Sequence, residues 1–120
     1  LVGSEMCIRD RPYWEQKNNK RQLIIPYTLD NNDMRFATKQ GFNSGDQFYT
    51  YLKDSFDALY EEGKTDPKMM SVGLHCRLIG RPGRIQSLKK FLEYVLKFQD
   101  VWICKRIDIA KHWIKNYPKN

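Results

Sequence analysis

The stretch MMSVGLHCRLIGRPGR, residues 69–84, decides the fold that the sequence predicts. It begins as an apolar run of strand length and ends in His75, and the loop that follows carries Arg77, Arg81 and Arg84. The loop also contains Gly80, Pro82 and Gly83, which favour turns, before a new helical pattern starts. In α/β enzymes, a strand that delivers a reactive side chain to a rigid loop builds a site at one rim of the sheet. The stretch therefore predicts an α/β fold with its chemistry at this rim.

Two further apolar runs have the composition of buried strands, QLIIPYT at residues 22–28 and VWIC at residues 101–104. Each predicted strand is followed by a segment with apolar residues at helical spacing. The first of these segments starts at a capping box formed by Ser44 and Gln47. Strands that alternate with amphipathic helices predict parallel βαβ units. Because three parallel strands leave both sheet edges unpaired, the chain is predicted to be the last part of a larger α/β barrel.

The first eleven residues, LVGSEMCIRDR, show neither a helical nor a strand period. They resemble the translation of a sequencing adapter rather than the start of a folded domain. We therefore expect residues 1–11 to be non-native sequence and the domain to occupy residues 12–120.

The composition is typical of a soluble globular protein, with 41% hydrophobic and 29% charged residues among 120. No apolar run has the length of a membrane span. The three cysteines are an odd number without close spacing, which argues against a disulfide framework and favours a cytoplasmic location. The net charge of +7 would suit nucleic acid or an anionic surface. Its basic residues are scattered over predicted helix faces and turns, so we favour solvated surface charge.

The predicted strands end in polar side chains that parallel pairing would bring to one rim. The candidates after the first strand are Asp30, Asn31, Asn32, Asp33 and Arg35; the second strand contributes His75, Arg77, Arg81 and Arg84, and the third Lys105, Arg106 and Asp108. This collection of acids, amides and cations predicts a site for a polar small molecule.

Each candidate has a functional and a structural interpretation. His75 has the side chain of a general acid or base, since a free imidazole titrates near neutrality, but it could equally make a structural hydrogen bond. The Asp residues could orient His75 or form Asx turns, and the Asn residues suit amide or ureide groups as well as turns. Arg81 and Arg84 could clamp an anion or an oxyanion, or tie down the loop by binding carbonyl oxygens.

Two other kinds of chemistry are disfavoured by the sequence. Cys76 follows His75 directly, and adjacent residues of a strand point to opposite faces, so a cysteine–histidine nucleophile is not expected. The two histidines, His75 and His112, fall on different predicted elements without an accompanying acidic cluster. We therefore predict neither a metal site nor a cofactor.

Three segments carry a resemblance to a known family: IPYTLDNNDMRF at residues 25–36, GFNSGDQF at residues 41–48 and SVGLHCRLIGRPGR at residues 71–84. They resemble the C-terminal part of the cofactor-independent allantoinases, a branch of the polysaccharide deacetylase superfamily. The resemblance extends over essentially Pro12 to Pro118.

The resemblance implies the C-terminal strand–helix units of a distorted (β/α) barrel of the polysaccharide deacetylase type, incomplete in this chain. It also implies hydrolysis of the hydantoin ring of allantoin to allantoate, with His75 as the catalytic residue and no metal. The implied substrate-binding residues are Asn32, Asp33, Arg35, Leu74, Arg81 and Arg84. The superfamily's early acidic and His-x-x-x-His motifs are missing here, so we expect a fragment that is inactive alone.

The implied partner is a small ureide substrate, without nucleic acid or membrane, and the complete parent enzyme is expected to be a homo-oligomer. Two alternatives stay open. One is a metal-dependent polysaccharide N-deacetylase, which would use the same histidine. The other is a basic binding module without enzymatic activity, which only the charge of +7 supports.

Overall fold

The computed structural model describes residues 11–26, 31–39 and 41–118. The chain divides into two compact units. The terminal unit combines Leu1–Pro26 with Trp102–Asn120, and the central unit is Tyr27–Val101. The elements in chain order are β1 (Tyr13–Lys17), β2 (Lys20–Ile24), a 3₁₀ helix (Asp33–Ala37), α1 (Gly45–Gly63), α2 (Cys76–Ile79), α3 (Pro82–Val95) and α4 (Arg106–Asn116). Of the predicted non-native segment, residues 1–10 lie outside the described residues.

In the terminal unit, β1 and β2 form an antiparallel hairpin. The turn between them is Asn18-Asn19, with φ angles of 52° and 61°, and asparagine accommodates this left-handed region better than most residues. Of the parallel strand predicted over residues 22–28, residues 22–24 do form a strand, but its pairing is antiparallel, because this turn folds the chain back onto the preceding segment. Residues 27 and 28 lie outside the described residues. The indole of Trp14 donates a hydrogen bond of 2.9 Å to the carbonyl of Tyr117.

The hydrophobic core lies in the central unit, where α1 packs against α3. Phe48 and Leu52 of α1 are fully buried, and Phe91 and Val95 of α3 are 5% exposed. Both predicted helices are present as α1 and α3. Phe48 and Leu52 follow the predicted spacing, whereas on α3 Phe91 is buried and the neighbouring Leu92 is 41% exposed. Burial of these apolar side chains, aromatic and aliphatic, stabilises the packing of the two helices.

The start of α1 agrees in part with the predicted capping box. The hydroxyl of Ser44 accepts a hydrogen bond from the backbone N–H of Gln47 at 3.4 Å. The side-chain oxygen of Gln47 accepts from the N–H of Asn43, at 2.7 Å, rather than from that of Ser44. The helix thus begins at the predicted place with a modified cap.

The other two predicted strands are absent from the described residues. Within residues 69–74 a single parallel bridge pairs Gly73 with Asn32, and residues 101–104 form no ladder. Trp102 and Ile103 are more than half exposed. A strand needs a neighbour to pair its backbone groups, and an apolar run in the sequence does not supply one.

The predicted last helix is confirmed as α4. Its first turn is closed by Asp108, whose carboxylate accepts a hydrogen bond from the N–H of Lys105 at 3.2 Å. In the part of the chain that the structure describes, no helix is long and apolar enough to cross a membrane.

Candidate active site

The predicted rim exists around the bridge between residues 31–33 and Gly73. Gly73 donates to the carbonyl of Asn31 at 2.8 Å and accepts from the N–H of Asp33 at 2.9 Å. The bridge is parallel, like the pairing predicted for the strands, but it lies beyond the end of the predicted first strand. It brings the segment before the 3₁₀ helix beside the segment that carries His75.

Gly73 has a packing reason to be glycine. A Cβ atom at this position would lie 2.3 Å from the side-chain nitrogen of Asn32. Asn32 is 2% exposed and caps the 3₁₀ helix, because its side-chain oxygen accepts from the N–H of Met34 at 2.9 Å. Asn32 is therefore a structural cap in the chain, and only a residue without a side chain can approach it so closely.

Asp33 and His75 form the chemical centre of the rim. One carboxylate oxygen of Asp33 lies 2.7 Å from Nδ1 of His75. The other accepts a hydrogen bond from the backbone N–H of His75 at 2.5 Å. The side chain of Asp33 is fully buried, whereas that of His75 is 33% exposed. A buried carboxylate that binds both the ring and the backbone of one histidine fixes the orientation of its imidazole.

This geometry determines which ring nitrogen is available for chemistry. A carboxylate only accepts hydrogen bonds, so Nδ1 of His75 carries the proton that faces Asp33. Nε2 is then the nitrogen left to exchange a proton with a bound molecule. A carboxylate that orients a histidine ring is also found in catalytic triads, where the histidine acts as general acid or base.

Two of the predicted arginines pack on aromatic rings. The guanidinium of Arg35 lies 4.8 Å from the ring centre of Phe42 and 4.6 Å from that of Tyr51. The guanidinium of Arg84 lies 4.3 Å from that of Phe36 and donates to the carbonyl of Leu78 at 3.1 Å. The loop-tying interpretation of Arg84 is therefore observed.

Several other candidates can be placed individually. Arg81 is exposed at the N-terminal end of α3, and Leu74, beside His75, is 45% exposed. Asp30 lies outside the described residues. The candidates of the predicted third strand belong to the terminal unit, where Arg106 donates to the carbonyl of Ile25 and Asp108 caps α4.

The thiols do not form a reactive centre in the described chain. Cys76 and Cys104 are free cysteines. Burial, assisted by the charge of Asp108, raises the pKa of the Cys104 thiol, which keeps it protonated and poorly nucleophilic. Cys76 is exposed at the first position of α2.

Metal binding finds no support in residues 11–26, 31–39 and 41–118, which contain no group of three His, Cys, Asp or Glu side chains placed to hold an ion. The absence of a metal in the complete site stays a prediction. Sequence reasoning missed the role of Gly73. It also left open which residue partners His75, because Asp33 is 42 positions away.

The chain has the fold of part of the solved polysaccharide deacetylases that it resembles. A structure of a protein described as a polysaccharide deacetylase from Pseudomonas aeruginosa PAO1 is 56% identical, with a TM-score of 0.88 over 92% of this chain. A Mycobacterium smegmatis structure, 22% identical with a TM-score of 0.73, shares the fold. No protein-family model matches the chain.

The particular resemblance to the allantoinase branch is also confirmed. The structure of PuuE allantoinase is 57% identical, with a TM-score of 0.89 over 92% of this chain. A Schizosaccharomyces pombe protein, named for the polysaccharide deacetylases, is 46% identical over 119 residues and 91% of this chain. The chain spans only 37–38% of the length of these three relatives. The names of these relatives denote hydrolases, and the chain resembles part of such a protein.

Proposed function

We propose that this chain supplies the proton-transfer half of the active site of a hydrolase that opens the hydantoin ring of allantoin to give allantoate, a reaction of purine catabolism. The observation that carries the proposal is the 2.7 Å contact between Nδ1 of His75 and the fully buried carboxylate of Asp33. The choice of allantoin rests on the 57% identity with PuuE allantoinase.

The chemistry needs a group of this kind. Opening a cyclic amide requires attack of water on the carbonyl carbon and cleavage of the C–N bond in the resulting tetrahedral intermediate. The departing nitrogen must take up a proton as that bond breaks. Protonated His75 would give the proton from Nε2, while Asp33 stabilises the imidazolium through Nδ1–H and keeps the ring in place. After the transfer, the neutral ring retains its proton on Nδ1.

The other predicted site residues have two kinds of role in this proposal: some contact the substrate and some shape the site. Leu74, next to His75, and Arg81, at the N-terminal end of α3, are exposed and are proposed to contact the ureide. Asn32, Arg35 and Arg84 are engaged within the protein, and we propose that they shape the rim. The proposal keeps the sequence-based expectations of no metal or cofactor, a cytoplasmic homo-oligomeric parent enzyme, and no nucleic-acid or membrane partner.

The chain is proposed to be inactive by itself, because it covers 37–38% of its relatives. The direct test is a hybrid in which residues 11–118 replace the matching segment of PuuE allantoinase. We expect the hybrid to form allantoate, and His75→Gln to lower the rate by at least about 100-fold, the usual contribution of a positioned general acid. Asp33→Asn should lower kcat with little change in KM, since Asp33 acts through His75.

Folding of each hybrid is checked by circular dichroism, so that loss of activity is not confused with loss of structure. A folded hybrid whose rate is unchanged by His75→Gln would contradict the assignment. Conversion of allantoin by the isolated chain at an enzyme-like rate would contradict the proposed inactivity.

A polysaccharide N-deacetylase is the second candidate, favoured by the names of the Pseudomonas and Schizosaccharomyces relatives. Cleavage of the acetamide bond of its substrate also releases a nitrogen that must be protonated, so Asp33 and His75 would have the same role there. A matching hybrid built on the Pseudomonas protein separates the two functions. Deacetylation of N-acetylated glycans that a chelator abolishes, without allantoin opening in either hybrid, would replace our first proposal by the second.

A further inference from the structure

The terminal unit exposes a group of large apolar side chains, which we call the α4 face. Its members are Trp102, Ile103, Ile107, Ile114 and Tyr117, with exposed fractions of 59%, 55%, 57%, 51% and 52%. Single exposed hydrophobic residues are ordinary, but a concentration within one short segment is typical of an interaction surface.

Helix α4 lacks the burial that normally stabilises an amphipathic helix. It contains no buried residue, although its apolar residues recur at helical spacing. Ile107 and Ile114 are seven positions apart and therefore lie on the same side of the helix, two turns from each other. The indole nitrogen of Trp113 is buried without a hydrogen-bond acceptor among the described residues. A helix of an α/β fold is expected to bury such a side against another layer.

We infer that the α4 face is the docking surface for the remaining strand–helix units of a polysaccharide deacetylase fold. The relatives share the fold of this chain with TM-scores of 0.88 and 0.89, yet the chain spans only 37–38% of their length. More than three fifths of their length thus lies outside the matched region, which provides a large protein surface of the same fold to cover the face. This inference concerns assembly and does not depend on the reaction proposed above.

The charge around the face disfavours the alternative that a second copy of the chain covers it. Lys105, Lys111 and Lys115 are exposed in or next to α4, while Asp108 is only partly exposed. Two such faces brought together would place like charges opposite one another, which is unfavourable at an interface. A surface of different sequence can avoid this repulsion.

The first experiment adds the full chain to the segment of PuuE allantoinase that lies outside the match, produced as a separate polypeptide. We expect a one-to-one complex in size-exclusion chromatography with light scattering. The double substitution Ile107→Asn/Ile114→Asn should weaken the complex at least about tenfold, whereas the control Lys89→Asn/Lys97→Asn at exposed positions of the central unit should not. Failure of the soluble partner to bind, or equal binding by the double variant, would overturn the inference.

A second experiment covers the case in which the separate segment does not fold. The same substitutions are compared in the full chain alone and in a covalent hybrid that contains both parts. In the hybrid, the isoleucine variant should lower Tm by about 5 °C, because it removes apolar contacts that form only there. In the chain alone it should leave Tm unchanged. An equal shift in both contexts, no shift in the hybrid, or a homodimer of the chain that the isoleucine substitutions disrupt would contradict the proposal.

Discussion

The central and terminal units differ in where their apolar side chains lie. Among the described residues, every buried hydrophobic side chain belongs to the central unit, whose core is centred on Phe48, Leu52 and Phe91. In the part of the chain that the structure describes, eight large hydrophobic side chains are exposed, and five of them belong to the terminal unit. The central unit therefore has a core of its own, whereas the terminal unit presents apolar surface. Both units contain regular secondary structure. Its presence therefore does not show that a segment buries enough apolar surface to be stable by itself.

The largest effect on stability is expected from truncating a core residue of the central unit, compared with truncating an exposed residue of the terminal unit. Phe48→Ala should lower the free energy of unfolding by about 3–5 kcal/mol, since it empties a fully buried site between aromatic rings. Ile114→Ala should change it by less than about 0.5 kcal/mol, because the side chain is already half exposed. Urea unfolding of both variants checks the contrast. Equal losses in the two variants would show that the terminal unit also has a packed core.

An intermediate effect is expected inside the central unit, at the bridge that supports the site. Gly73→Ala should cost about 1–3 kcal/mol, because the added methyl group would meet the buried amide of Asn32.

Gly83→Ala is the matched control for Gly73→Ala. No heavy atom lies within 4 Å of a Cβ at position 83, so alanine there should be neutral or should stabilise helix α3 by up to about 1 kcal/mol. The two substitutions make the same chemical change, and thermal unfolding compares them directly. If both variants were equally stable, the close approach at Gly73 would have no energetic role.

The smallest effect concerns a surface ion pair on α1 of the central unit. Burial opposes ionisation of Asp57, but the hydroxyl of Tyr94 and the ammonium of Lys53, which lies 2.9 Å away, outweigh it and lower the pKa of this carboxyl from its usual 3.8. Because the side chains of Lys53 and Asp57 are 35% and 37% exposed, Asp57→Asn should cost less than about 1 kcal/mol at neutral pH.

The pH dependence of this cost follows from the sign of the shift. A carboxyl with a lowered folded-state pKa stabilises the protein above its unfolded-state pKa and loses that contribution as the pH falls through the folded-state value. The stability difference between wild type and Asp57→Asn should therefore be constant at neutral pH and shrink as the pH falls below the ordinary carboxyl pKa and through the lowered folded-state pKa. Asp54→Asn on the same helix is the control. A difference that grows on acidification would contradict the assignment.

The helices were predictable from the sequence because their signals are local. The apolar spacing around Phe48, the cap at Ser44 and the acidic residue Asp108 in the first turn of α4 all act within a few positions. The strands were not predictable in the same way, since pairing depends on residues elsewhere in the chain. The hairpin turn at Asn18-Asn19 pairs the start of the predicted first strand antiparallel with the preceding segment. The strand predicted at Trp102 has no pairing partner in the described residues.

The site was predictable in its chemistry but not in its connections. The sequence indicated that an acid, amides and arginines would gather near His75, and the structure brings Asp33 into contact with it. The sequence could not indicate that Asn32 and Arg84 form hydrogen bonds with backbone groups of the protein instead. Nor could it reveal that Gly73 keeps the two segments close enough for the bridge, because such fits are properties of the folded chain.

The central claim is that Asp33 holds His75 as the Nδ1–H tautomer, with Nε2 free for proton transfer. The most direct test is the pair of histidine signals in long-range ¹H–¹⁵N spectra of the chain at a pH where both rings are neutral. His112 is the internal control, since its Nδ1 faces the amide nitrogen of Asn116 at 3.2 Å and should accept, which gives the Nε2–H tautomer. We predict opposite tautomers for the two histidines, with Asp33→Asn removing the preference at His75 only. The Nε2–H tautomer at His75 in the wild-type chain would contradict the account.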